Sequence, residues 1–217
     1  RRRTHRAQVP GRAWAVIRKT IGIVDYGVGN QASVWRALHG LGYRCRVSDD
    51  PAKLDETDIL FLPGVGAFPA AMKKLHEHDL VEYLQREAHT GKPIVGLCLG
   101  MQLLAEQSHE HGLTAGLGLI PGEVIPFPRG GWHIGWNAIE YRDSHPLFAQ
   151  CDGMAMYFNH SFIFDTPEEY CVYAARTQES FPVGVRRGNL VGMQFHPEKS
   201  QAAGRTLLRI LVEGLCP

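Results

Sequence analysis

The chain has 217 residues, enough for one domain with a full core, and its 44% apolar and 21% charged residues are ordinary for a globular protein. A formal net charge of +1 excludes a global field for nucleic acid or an anionic membrane, and no apolar run approaches the ~18 residues of a membrane helix. Five cysteines (Cys45, Cys98, Cys151, Cys171 and Cys216) lie far apart with no C-x-x-C pair, which reads as reduced thiols in a cytoplasmic protein and not as a disulfide framework.

Residues 1–19 stand apart. They carry Arg1, Arg2, Arg3, Arg6, Arg12, Arg18 and Lys19 and no acidic residue. They read as a loosely held basic extension without a catalytic role. A basic arm contacting a partner is the rival, and a transit peptide is disfavoured because serine is missing. The domain proper is 20–217. Ile21-Gly-Ile-Val24 predicts a buried strand. Asp25-Tyr-Gly-Val-Gly-Asn30 predicts a turn, with Asn30 capping a helix over 31–39. A dinucleotide fingerprint fails here, because Ala32 stands where the third glycine belongs, and Asp49 and Asp50 sit directly before Pro51. Further strands are expected over 43–47 and 58–62, the latter followed by Pro63-Gly-Val-Gly66, then a long helix over 68–89. Strands alternating with helices imply a parallel sheet with right-handed crossovers.

Ile94 and Val95 then lead into Gly96-Leu-Cys-Leu-Gly100, with a helical pattern over 101–107. This is a nucleophile elbow with cysteine in place of serine. The two glycines permit backbone crowding at the turn. The new helix points its N–H groups at the sulfur, which favours thiolate, and leaves the Leu99 N–H for an oxyanion. A buried structural cysteine is the bland alternative.

From Gly118 the chain becomes rich in Gly, Pro and aromatics. Short β runs are expected over 154–164, 170–176, 183–187 and 190–195, and a closing helix over 201–213. An elbow cysteine needs a base and an orienter. His196, before Pro197, is biased to an extended backbone, so Glu198 shares its face and can hold one ring nitrogen. Cys98, His196 and Glu198 therefore form a candidate triad. The Pro63-Gly-Val-Gly66 loop, at the same sheet edge, is the candidate for the second oxyanion donor. His76, His78, His89, His109 and His111 fall on helices or their ends without metal-binding spacing, and Arg186 and Arg187 fall on a solvated turn. No metal or cofactor is called for.

Together these motifs resemble the class I (triad-type) glutamine amidotransferases. More narrowly, the chain is similar to glutaminase subunits of imidazole glycerol phosphate synthase. The shared pieces are Asp25-Tyr-Gly-Val-Gly-Asn30, Pro63-Gly-Val-Gly-Ala-Phe68, Gly96-Leu-Cys-Leu-Gly-Met-Gln102, His133-Ile-Gly-Trp-Asn137, Tyr157-Phe-Asn-His-Ser161 and Gln194-Phe-His-Pro-Glu-Lys-Ser200. The resemblance implies a flavodoxin-like three-layer α/β sandwich, with a central, mostly parallel sheet and an antiparallel C-terminal β region. It implies hydrolysis of L-glutamine to glutamate and ammonia through a thioester on Cys98. The oxyanion would be held by amides of Leu99 and the Gly64–Val65–Gly66 loop, and glutamine by Gln102, His160 and Ser161. It also implies a (β/α)8-barrel cyclase partner in histidine biosynthesis, met near Trp136, His133 and Lys199.

Three positions depart from the family pattern. Asn159 stands where Val is usual, Phe162 where Tyr is usual, and Trp132 where Pro is usual. A paralogue feeding ammonia to an amidating enzyme of surface-polysaccharide sugar synthesis is the alternative these raise. A silent binding module and a cysteine protease on a similar fold are the remoter rivals, disfavoured by the complete triad and by the glutamine-pocket residues.

Overall fold

The computed structural model describes residues 19–127, 130–142, 146–177 and 179–216. Nearly all of the basic extension lies outside them. Among the described residues, fourteen strands and six α-helices follow one another along the chain. In the first half these are β1 (Thr20–Val24), α1 (Gln31–Gly40), β2 (Arg44–Ser48), α2 (Pro51–Asp55), β3 (Ile59–Gly64), α3 (Phe68–Glu77), α4 (Leu80–His89), β4 (Ile94–Cys98) and α5 (Leu99–Gln102). The short strands β5 (Gln107–Ser108), β6 (Thr114–Ala115) and β7 (Glu123–Pro126) come next, then β8 (His133–Ala138) and β9 (Glu140–Tyr141). The remainder is β10 (Ala155–His160), β11 (Phe162–Asp165), β12 (Cys171–Arg176), β13 (Ser180–Arg187), β14 (Leu190–Met193) and α6 (Gln201–Leu215).

The main sheet has eight strands in the order β2-β1-β3-β4-β14-β13-β12-β9. Its first five neighbours pair in parallel, and β13, β12 and β9 extend it antiparallel. The mostly parallel sheet with an antiparallel C-terminal region is thus the architecture found. Every residue of β3 and β4 is buried, because strands covered on both faces need apolar residues at both parities. The alternation then sorts them. Ile59 and Phe61 join a core with Val34, Leu38, Leu207 and Leu211 from α1 and α6. Leu60 and Leu62 join a second core with Ala71, Leu75, Leu80 and Leu84 from α3 and α4. Two cores on opposite faces of one sheet make three layers. Among the described residues no helix is long and apolar enough to cross a membrane.

Three predicted elements come out differently. The helix expected over 68–89 is two helices, broken where Asp79 adopts φ 55° and ψ 28°. Aspartate tolerates the left-handed region, and the break lets both pieces pack on the same core. The helix expected over 101–107 stops at Gln102. Carbonyls of Leu103, Leu104 and Ala105 instead accept N–H groups from Leu117, Leu119, Ile120 and Gly118 at 2.9 Å, so a tertiary segment takes the ladder a longer helix would need. The run over 154–164 is split at Ser161. β10 pairs with β8, whereas β11 pairs with β7 in another sheet.

Candidate active site

Parallel register sets the site. Gly64 pairs with Cys98, and Met193 with Leu97, so the ends of β3, β4 and β14 meet at one sheet edge. Ligands of open α/β sheets gather at such C-terminal strand ends. Cys98 closes β4 with φ 54° and ψ −113°, a conformation that costs a non-glycine residue about 1–3 kcal/mol and that here turns the thiol outward. The glycines of the elbow are steric necessities. A Cβ on Gly96 would stand 2.4 Å from the Gly100 oxygen, and one on Gly100 would stand 1.8 Å from the Leu62 oxygen. Because α5 is a single turn, local N–H groups rather than a long helix dipole face the sulfur.

His196 lies just beyond β14 and is 3% exposed. Its Nδ1 donates to Glu198 Oε1 at 2.8 Å; an ionised carboxylate only accepts, so Nδ1 carries the proton. Cys98 stands close enough to the ring to act on its titration as well. Burial pulls the imidazole downward, but the hydrogen bonds and charges of Cys98 and Glu198 outweigh it and hold the group up at about 9. That environment favours the imidazolium form of His196. The two triad residues meet across a tight 3₁₀ turn at Pro197–Lys199, not along a continuous extended strand as the i, i+2 argument expects.

Asn30 is the N-cap of α1 by position, yet its side chain makes no cap bond. Its Nδ2 reaches Glu198 Oε1 at 3.2 Å instead. Thus α1 helps set the carboxylate, whose Oε2 is buried without a hydrogen-bond partner. Tyr26 is another contributor that the motif reading passed over. Its hydroxyl donates to the Pro63 carbonyl at 2.8 Å, which ties the 63–66 loop to the turn after β1. Burial and the nearby Cys98 push its pKa up, so it stays a neutral donor.

A cleft of about 310 Å³ opens above the thiol. Val65, Gly66, Cys98, Leu99, Gln102, His160, Ser161, His196 and Lys199 all line it; of the expected oxyanion residues only Gly64 stays beneath, as the last residue of β3. Gln102 Nε2 donates to the Phe162 carbonyl at 3.2 Å and to Gln194 Oε1 at 3.0 Å, and Gln194 Nε2 in turn lies 3.9 Å from Cys98 Sγ. Gln194 was legible only as a motif letter, although it sits two residues before His196. Glu110 was missed altogether. It lines the cleft at 9% exposure, and its Oε2 accepts the Phe68 N–H at 2.7 Å. A buried carboxylate after a run of helix-like sequence gave no local signal.

His160 Nδ1 donates to the Phe162 carbonyl at 2.8 Å, and its Nε2 meets His133 Nδ1 at 2.9 Å. With the first nitrogen committed as donor, Nε2 accepts and His133 donates. Both rings are therefore neutral. Burial drives His160 down to about 4, offset by its bond to Phe162 and reinforced by His133 and His196. Burial also lowers His133. His133 was expected at a partner surface, but it is only 7% exposed. It faces inward on β8, while Ile134 and Trp136 alternate outward at 60% and 51% exposure. Lys199 sits with its ammonium 6.0 Å from the Tyr157 ring, and Trp136 packs edge-on against the same ring. Trp132 and Asn159, two of the departures from the family pattern, are bonded to one another, indole Nε1 to Oδ1 at 2.8 Å. Among the described residues, no group of three or more His, Cys, Asp or Glu side chains is placed to hold a metal ion.

The profile of the family "Glutamine amidotransferase class-I" matches residues 22–211, so the chain belongs to that family. Within it, the chain is similar to the imidazole glycerol phosphate synthase subunit HisH of several bacteria. It is 43% identical to the Listeria monocytogenes protein over 191 residues, covering 86% of this chain and 92% of that one. It is 44% identical to the Carboxydothermus hydrogenoformans protein over 196 residues, covering 89% and 98%. Among solved structures, PurLQS from Thermotoga maritima superposes with a TM-score of 0.72 at 20% identity, over 92% of this chain and all of that one. A glutamine amidotransferase crystal structure gives 0.71 at 21% identity, over 90% and 98%. These two establish the fold.

Proposed function

We propose that the chain is a glutaminase subunit of imidazole glycerol phosphate synthase. It would hydrolyse L-glutamine and pass the ammonia to a cyclase subunit in histidine biosynthesis. The observation that carries the reading is that Cys98 and His196 line one cleft, with His196 Nδ1 committed to the buried Glu198 carboxylate. The Cys98 thiolate attacks the side-chain amide carbon of glutamine. Leu99 and the 64–66 loop, which line the cleft with Cys98, are the source of N–H donors for the oxyanion. His196 gives its proton to the departing nitrogen, which leaves as ammonia. Water then attacks the γ-glutamyl thioester; His196 takes one proton from it, and thiolate and glutamate separate.

The amide end of glutamine at Cys98 leaves the amino-acid head toward the mouth. There Glu110, one oxygen spent on Phe68, offers a carboxylate to the α-ammonium. Trp132 and Val65 line the cleft and are 66% and 39% exposed, and Ile134 and Trp136, on β8 next to Trp132, are 60% and 51% exposed. Large exposed side chains clustered beside a reaction cleft mark a protein-docking face, which supports the partner. The test is glutamate release from glutamine by the chain alone and with a histidine-pathway cyclase subunit and its nucleotide ligand. Low activity alone and a large rise in the mixture is the expected result. Labelling of Cys98 by a glutamine-analogue electrophile without any rise would keep the glutaminase and reassign the partner.

A further inference from the structure

The cleft mouth carries a contact that the hydrolytic machinery does not use. Trp132 stands just before β8 and is the most exposed aromatic side chain near the site, at 66%. Solvent exposure of a large ring leaves its orientation open unless its N–H is committed. Here the indole donates to Asn159 Oδ1 at 2.8 Å. Asn159 is held by the β10–β8 ladder, opposite Ile134 and adjacent to the buried His160. Both partners line the same cleft as Cys98 and Glu110. The hydrogen bond therefore ties the indole to β10 at a cleft whose lining also carries the Glu110 carboxylate.

We propose that Trp132, pinned by Asn159, closes over the amino-acid head of bound glutamine and is a substrate-retaining residue of the site. The proposal rests on the glutaminase reading above. The chemistry suits the ligand: a zwitterionic head at the mouth presents an ammonium, which an indole face attracts while Glu110 neutralises it. The scissile amide lies deeper, beside Cys98, so the contact acts on binding and not on the chemical step.

The experiment follows saturation kinetics of Cys98 modification by a diazoketone analogue of glutamine, read on the Cys98 peptide by mass spectrometry. Iodoacetamide, which has no amino-acid head, is run in parallel. Asn159→Leu and Trp132→Phe each remove one end of the hydrogen bond at exposed positions, so folding is not at stake. Each is expected to raise the half-saturating analogue concentration about fivefold, the loss expected for one net hydrogen bond. The limiting rate and the iodoacetamide rate stay within about twofold of wild type. Asn159→Asp keeps the accepting oxygen and is expected to bind the analogue no more weakly than wild type. Unchanged saturation in both disrupting variants, with normal wild-type labelling, overturns the cover alone. An equal loss in Asn159→Asp and Asn159→Leu also overturns it. Failure of the wild type to label saturably at Cys98 overturns the glutaminase reading and the cover together.

Discussion

Replacing Glu198 by Gln is the perturbation that separates orientation from mere proximity in this triad. The carboxylate is 1% exposed at its side chain and accepts both His196 Nδ1 and Asn30 Nδ2 at one oxygen. His196 is held at about 9 against an ordinary 6.5, a preference for imidazolium worth roughly 3 kcal/mol, with Cys98 and Glu198 both contributing. Glutamine at 198 keeps the size but removes the charge, and it can present a donor to Nδ1, which favours the wrong tautomer. A charge-assisted hydrogen bond is worth about 1.5–3 kcal/mol, so kcat/KM falls about 10- to 150-fold. Loss of the orienting acid in serine triads costs more, about 10⁴, which sets the upper bound. The pH profile carries a second signature. Activity that needs the imidazolium as proton donor declines as pH rises through about 9 in the wild type; without the Glu198 charge that limb moves down by about one pH unit. The same sign governs stability: the raised pKa contributes fully below pH 6.5, and that contribution is lost as pH rises through about 9. Steady-state glutamate release across pH, with chemical denaturation on the same samples, reads both. A Glu198→Gln enzyme with wild-type kcat/KM and an unmoved basic limb would refute the reasoning.

Other outcomes follow from single contacts. Gly96→Ala forces a methyl to 2.4 Å from the Gly100 oxygen and is expected to cost about 3 kcal/mol in urea unfolding; a cost under about 0.5 would contradict the elbow packing. Tyr26→Phe removes the donor to Pro63 O and leaves that buried carbonyl short of a partner, so turnover drops by about an order of magnitude while glutamine-analogue binding changes little. His160, neutral in the fold with its pKa down at about 4, makes the protein lose up to roughly 3 kcal/mol as pH falls from 6.5 toward 4; His160→Gln flattens that slope in denaturant titrations. Cys45 is half-buried with its thiol pushed up to about 11 by burial, and Cys151, Cys171 and Cys216 are buried. Cys98 is buried too, but of the five cysteines it is the one that lines the cleft, so iodoacetamide at pH 7 is expected to modify Cys98 first, with one equivalent incorporated before any other cysteine reacts.

The Cys98 elbow and the His196–Glu198 pair were legible because each announces itself locally. Gly96 and Gly100 flank Cys98 at a strand end, and Pro197 forces His196 and Glu198 into a fixed short relation. The parallel half of the sheet was legible for a similar reason, since buried strands read as continuous apolar runs. What stayed hidden depends on tertiary contact. The 101–107 pattern reads as helix, and only the carbonyl demands of residues 117–120 end it at Gln102. Asn30 reads as a cap, but a carboxylate 168 residues away draws off its side chain. Glu110 carries no mark in the sequence, since it is the Phe68 N–H and the cleft wall that place and bury it. His133 was placed at a partner surface because it shares a motif with Trp136, whereas strand alternation turns the two to opposite faces.

The most direct measurement is rapid acid quench of the chain during turnover with glutamine, followed by mass analysis of the peptide that contains Cys98. The account predicts one γ-glutamyl group on Cys98, absent in Cys98→Ala and persisting longer in His196→Ala with any thioester that forms. Glutamate produced at an undiminished rate by Cys98→Ala, with no acyl group anywhere on the chain, would contradict it.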